Sequence, residues 1–99
     1  MDYVIKQTES FAKWLLAMKD LRAQFAIGRR IDRACAGNLG DVKSVGEGVS
    51  EMRIDVGAGY RVYFTKRGRE IVILLAGGDK SSQPTDIKTA LRLARNLKE

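Results

Sequence analysis

Ninety-nine residues, 44% of them hydrophobic and only one of them proline, suit a single domain (1–99) with one core and argue against disorder. Eighteen Lys and Arg against twelve Asp and Glu leave a net charge of +6, which fits a polyanionic partner. No histidine is present and Cys35 is the lone cysteine, which excludes Ser-His-Asp and Cys-His catalysis, an internal disulfide and thiolate-held zinc.

The opening MDYVIKQTES lacks the charged-then-apolar layout of a signal peptide, and no apolar run approaches the roughly 18 residues of a membrane span. The expectation is a cytoplasmic protein without membrane contact. Residues 2–6 read as a short strand. Thr8 or Ser10 can cap a helix whose apolar positions Phe11, Trp14, Leu15 and Met18 keep helical spacing. Asp20 caps a second, longer helix to about Ala36, with Leu21, Phe25, Gly28, Ile31 and Cys35 as its apolar stripe. That stripe makes Cys35 a buried structural thiol, and Gly37-Asn38 suits a left-handed helix end. The two helices form an antiparallel hairpin.

Beyond Gly40 the pattern shortens. Val42–Val45 is a candidate strand. In 49–56 Met52, Ile54 and Val56 alternate with Glu51, Arg53 and Asp55. In 60–66 Val62 and Phe64 alternate with Arg61, Tyr63 and Thr65. Gly57-Ala58-Gly59 and Arg67-Gly68 are turns. Residues 70–76 are apolar enough for a central strand covered on both faces. A last helix starts within 81–86, with Ser81, Ser82 or Thr85 as cap, Pro84 in its first turn and the stripe Ile87, Ala90, Leu91, Ala94 and Leu97. Strands in a block between helices indicate an α+β fold.

The strands 49–56 and 60–66 are joined by three residues, so they pair antiparallel and bring Arg53 and Arg61 out on one face. Two forked guanidinium groups beside Tyr63 suit phosphate and a stacked base. The plainer reading is a wet face on which the arginines pair with Glu51 and Asp55. Gly77-Gly78-Asp79-Lys80-Ser81 offers backbone amides and Lys80 near a helix start, but Asp79 and Leu74 occupy positions where a phosphate loop requires glycine. Arg22, Arg29 and Arg33 share one face of the second helix, with Arg30 beside it. That face is a footprint for nucleic acid, a dock for an acidic segment or a solvated surface.

The run EGVSEMRIDVGAGYRVYFTKRG, the hydrophobic strand after it, GGDKSSQPTDI, the TESFAKWL opening and the GNLGDVKSVGEGVSE junction closely resemble the addiction module killer proteins, HigB-like members of the RelE/ParE superfamily. The resemblance spans nearly the whole chain. It implies a RelE-like β-α-α-β-β-β-α plan with an antiparallel sheet and an N-terminal helical hairpin. It also implies a ribosome-dependent mRNA endonuclease, the toxin of a type II toxin–antitoxin system, neutralised in complex with a helix-turn-helix antitoxin. The family's active-site positions fall on Arg53, Arg61 and Lys80, with Tyr63, Arg22, Arg29 and Arg33 as RNA-binding candidates and with no metal or cofactor. The chain departs from many relatives in lacking a histidine, or a tyrosine after Tyr63, near its C-terminal end. Proton transfer is therefore unassigned, with Lys80 a candidate acid and Glu51 or Asp55 a candidate base. The alternatives are a ParE-like gyrase inhibitor and a non-catalytic nucleic-acid-binding regulator.

Overall fold

The computed structural model describes residues 2–97. The elements are β1 (Val4–Gln7), α1 (Glu9–Leu16), α2 (Leu21–Cys35), β2 (Val42–Gly46), β3 (Val49–Ile54), β4 (Tyr60–Arg67), β5 (Ile71–Asp79), a 3-10 turn (Lys80–Ser82) and α3 (Gln83–Arg95). The strands form one sheet in the order β1-β5-β4-β3-β2. The α+β class and the element order stand as expected. The sheet is mixed rather than purely antiparallel, because β1 runs parallel to β5 at the edge.

Local chemistry sets the helix starts. Thr8 accepts a hydrogen bond from the Phe11 amide at 3.1 Å, and its hydroxyl donates to the Leu75 carbonyl, so the cap of α1 is also its anchor to β5. Asp20 caps α2 through the Ala23 amide at 3.1 Å. Pro84 occupies the first turn of α3, where no backbone donor is needed.

The sheet is buried on both faces. Beneath α1 and α2 lies a core of Phe11, Ile27, Met52, Ile54, Val62 and Phe64. On the opposite face Val49, Tyr63, Leu75, Ala76 and Ala90 pack with Ile87, Leu91, Ala94 and Leu97 of the α3 region. The expected stripe of α3 is therefore correct, and it covers the face from which Arg61, Tyr63 and Thr65 were expected to reach solvent. Tyr63 is 0% exposed and Thr65 is buried, which corrects their placement on an open face.

A second correction concerns α2. Its buried residues are Ala23, Ile27 and Ala34, one register around from the expected stripe. Ile31 of the expected stripe still packs, partly buried, against the same core. Leu21 and Phe25 stand exposed, and Cys35 is exposed as well, its Sγ 3.4 Å from the Tyr3 carbonyl. Gly77 and Gly78 lie inside β5 and not in a loop after it. A Cβ on Gly77 would sit 2.3 Å from the Trp14 ring, and one on Gly78 would sit 1.8 Å from Asp86 Oδ2. Both glycines therefore let helices approach the strand from opposite sides.

Candidate nucleic-acid interface

The register of β3 against β4 sets Arg53 directly opposite Arg61. Like charges in a cross-strand pair repel, so each needs a counter-charge. Arg53 takes Asp41, with Nη2 at 3.1 Å from Oδ1, and both side chains remain largely in water. Arg61 takes Glu51, with Nε at 3.3 Å from Oε2, and here both partners are withdrawn: the side chains are 14% and 3% exposed. Gln83 of α3 donates a further bond to Glu51 Oε2 at 3.1 Å. The Arg61 Nε is close enough for an ion pair but is not aligned as a hydrogen bond. Buried Glu51 is thus a structural carboxylate under α3, which removes it as the candidate base.

Lys80, in the 3-10 turn, completes the group. With Asp41, Arg53, Asp55, Tyr60 and Arg61 it lines an open cleft of about 340 Å³. The Lys80 Cβ lies 3.8 Å from where a Cβ on Gly59 would be, so the β3–β4 turn and the β5 exit meet across the cleft. Arg53, Arg61 and Lys80 converge as the alternation of the strands indicates, backed by Met52, Ile54, Val62 and Phe64 in the core.

The sequence reading did not single out Tyr60 or Asp41. Tyr60 reaches Asp20 Oδ2 at 3.4 Å, and burial, then the Asp20 carboxylate, pushes its hydroxyl above the ordinary tyrosine range. Its place at the first position of β4, beside Arg61, was the available signal. Arg30 of α2 donates to the Arg53 carbonyl and to the Leu39 carbonyl, tying α2 to the end of β3. Arg22, Arg29 and Arg33 line a neighbouring groove of about 450 Å³ that shares Ile54 and Asp55 with the cleft. The basic face of α2 and the arginine pair therefore form one continuous surface.

Tyr63 stands apart from this surface. Its hydroxyl is buried without a hydrogen-bond partner among the described residues, and burial, then Glu51, pushes its pKa up to about 12. An orphaned buried hydroxyl destabilises, so Tyr63→Phe is expected to raise stability by about 1 kcal/mol in urea unfolding at neutral pH. A tyrosine raised in the folded state contributes fully below its unfolded pKa of about 10 and loses that contribution as pH climbs toward 12. The Phe variant should widen its lead across that alkaline window, and a lead that stays flat would show the hydroxyl to be solvated.

The phage derived Gp49-like (DUF891) family model matches residues 13–99. An uncharacterized protein of Haemophilus influenzae is 52% identical over 97 residues, which cover 98% of each chain. Among solved structures the chain is similar to the E. coli toxin RelE, determined as a double arginine-to-alanine mutant in the free state. That match has a TM-score of 0.75 at 14% identity, over 98% of this chain and 100% of that one. At such identity the likeness establishes the fold. The chain therefore belongs to the phage derived Gp49-like (DUF891) family, built on the RelE/ParE fold.

Proposed function

We propose that this protein is the toxin of a toxin–antitoxin pair, a ribosome-dependent and metal-independent mRNA endonuclease restrained by a helix-turn-helix antitoxin and acting in the cytoplasm. The observation that carries this reading is the directly opposed Arg53–Arg61 pair at a cleft shared with Lys80. Two guanidinium groups from adjacent strands at one open cleft, each already balanced by its own carboxylate, can grip an RNA phosphate by forked hydrogen bonds.

In this mechanism the ribose 2′-oxygen attacks the adjacent phosphorus while the bond to the leaving 5′-oxygen breaks. One product ends in a 2′,3′-cyclic phosphate and the other begins with a 5′-hydroxyl. Arg53 and Arg61 stabilise the extra charge of the pentavalent transition state. Lys80 gives its proton to the departing oxygen. Asp55, the exposed carboxylate at the junction of the two grooves, receives the proton of the 2′-hydroxyl. The modest set of groups is consistent with help from the ribosome, which would orient the message for in-line attack.

The test is controlled expression with primer-extension mapping of cellular messages. Cuts within translated frames, bearing 5′-hydroxyl ends, are expected alongside growth arrest. Arrest with intact messages and altered DNA supercoiling would transfer the reading to a gyrase-directed toxin.

The groove along α2 gives a separate prediction. Replacing Arg22, Arg29 and Arg33 together by glutamine should lower the slope of log K against log salt for single-stranded RNA by about 2, at about 0.7 per phosphate contact. An unchanged slope would mean that these arginines bind no phosphate.

A further inference from the structure

The structure assigns a positioning role to Glu51 and Gln83: together they fix the Arg61 guanidinium so that its terminal nitrogens stand ready for an anion at the cleft. The assignment rests on the reading of that cleft as a phosphate site and says how one of its two arginines is held. Glu51 lies opposite Tyr63, and Arg61 is two positions along the same strand. The carboxylate and the guanidinium are therefore diagonal neighbours on the face that α3 covers. Glu51 Oε2 meets Arg61 Nε at 3.3 Å and accepts a hydrogen bond from Gln83 Nε2 at 3.1 Å. The contact is made at the buried Nε. No hydrogen bond engages the terminal nitrogens of Arg61 among the described residues, and the residue lines the cleft beside Lys80.

Arg53 is the opposite case. Its Nη2 is itself engaged by Asp41, and the pair stands out in water. A long exposed side chain must be ordered when it binds, whereas a held one has already lost that freedom. Packing alone does not call for Glu51, because apolar residues of similar size fill such positions as well as a buried ion pair, or better. The hydroxyl of neighbouring Tyr63 is also left unpartnered. A buried polar cluster that costs stability but fixes one guanidinium is what a pre-organised phosphate contact requires.

Gln83 is placed by the same junction that places Lys80. The two stand on either side of the 3-10 turn that leads from β5 into α3. Ser82 and Asp86 rest against Gly78, the residue of β5 that pairs with Arg61, and this seats the start of α3 on that strand. One chain segment thus brings Lys80 to the cleft and, through Gln83 and Glu51, sets the arginine that faces it.

The test uses the full chain with Glu51→Gln and, as the milder change, Gln83→Met, which keeps the length but removes the donor. Melting curves set an assay temperature at which the variants are folded, and Gln83→Met carries the test alone if Glu51→Gln does not fold. In nitrogen-15 spectra the Arg61 Nε–H signal should be resolved and slow to exchange in the wild type. It should merge with the averaged arginine signals in both variants. Cleavage of a ribosome-bound message should lose about tenfold or more in kcat/KM. In an Arg61→Lys background that loss should vanish, and in an Arg53→Lys background it should persist in full. A variant that only loosens the fold would lose activity in every background. The proposal is overturned if the Arg61 signal is unchanged in both variants, or if their loss is undiminished in the Arg61→Lys background. If the wild type cuts no message, the endonuclease reading falls by itself. The same cycle is then read on affinity for a uridine-rich RNA, where the same two results decide the positioning role.

Discussion

Arg61→Ala should unfold at markedly lower denaturant than the wild-type protein, with a stability loss of about 3 kcal/mol or more. The sequence alone makes Arg61 look like a surface residue whose removal is nearly free. The structure places its side chain at 14% exposure against Glu51 at 3%, beneath α3. Truncation would leave a carboxylate buried with Gln83 as its remaining polar contact, and an unpaired buried charge is among the costlier defects a point mutation creates. Glu51→Gln combined with Arg61→Ala should recover a large part of the loss, since the orphaned charge is then gone. Arg61→Lys should melt near wild type because the counter-charge survives, while the forked contact to phosphate does not. If Arg61→Ala melts as wild type and the double variant is no better, the Glu51–Arg61 pair contributes nothing to the fold.

Arg61 lies where the residues alone were legible in part: its strand and its neighbour, but not its cover. Alternation in 49–56 and 60–66, with a three-residue turn between, was enough to set Arg53 beside Arg61. The two helix caps at Thr8 and Asp20 were also readable, because capping is a local interaction. What failed was everything decided by which face α3 covers. Its stripe of Ile87, Ala90, Leu91 and Ala94 had to bury itself somewhere, and the apolar strand at 71–76 called for cover on two sides. Joined together, those two facts place a second core over Tyr63 and Glu51. In α2 two apolar stripes competed. Ala23, Ile27 and Ala34 face the core while the larger Leu21 and Phe25 stand exposed, so apolar spacing alone did not choose the inward face. Gly77 and Gly78 read as a loop since their reason for being small lies in Trp14 and Asp86, distant in sequence.

The same burial pattern decides which variants can test cleavage cleanly. Arg53→Ala and Lys80→Ala should each fold as wild type and lose about a hundredfold or more in cleavage of a ribosome-bound message. Arg53 is 44% exposed and its partner Asp41 is 60% exposed, so water screens their ion pair and it adds little to stability. Lys80 is exposed in a turn whose cap, Asp79 to the Ser81 amide at 2.8 Å, does not involve its side chain. Melting curves for both should therefore overlay the wild type within the small range of ordinary surface substitutions. A contact made to the phosphate in the transition state is worth about 3 kcal/mol, a factor that appears in kcat when the ribosome complex is saturating. Arg53→Lys should recover part of the rate through charge alone, and Lys80→Arg less, since a guanidinium is too weak an acid to release its proton. Rate and stability are thus expected to separate at Arg53 and Lys80 and to fall together at Arg61. Full activity in a folded Arg53→Ala would leave the arginine pair without a phosphate to hold, and the cleft would no longer be the catalytic centre.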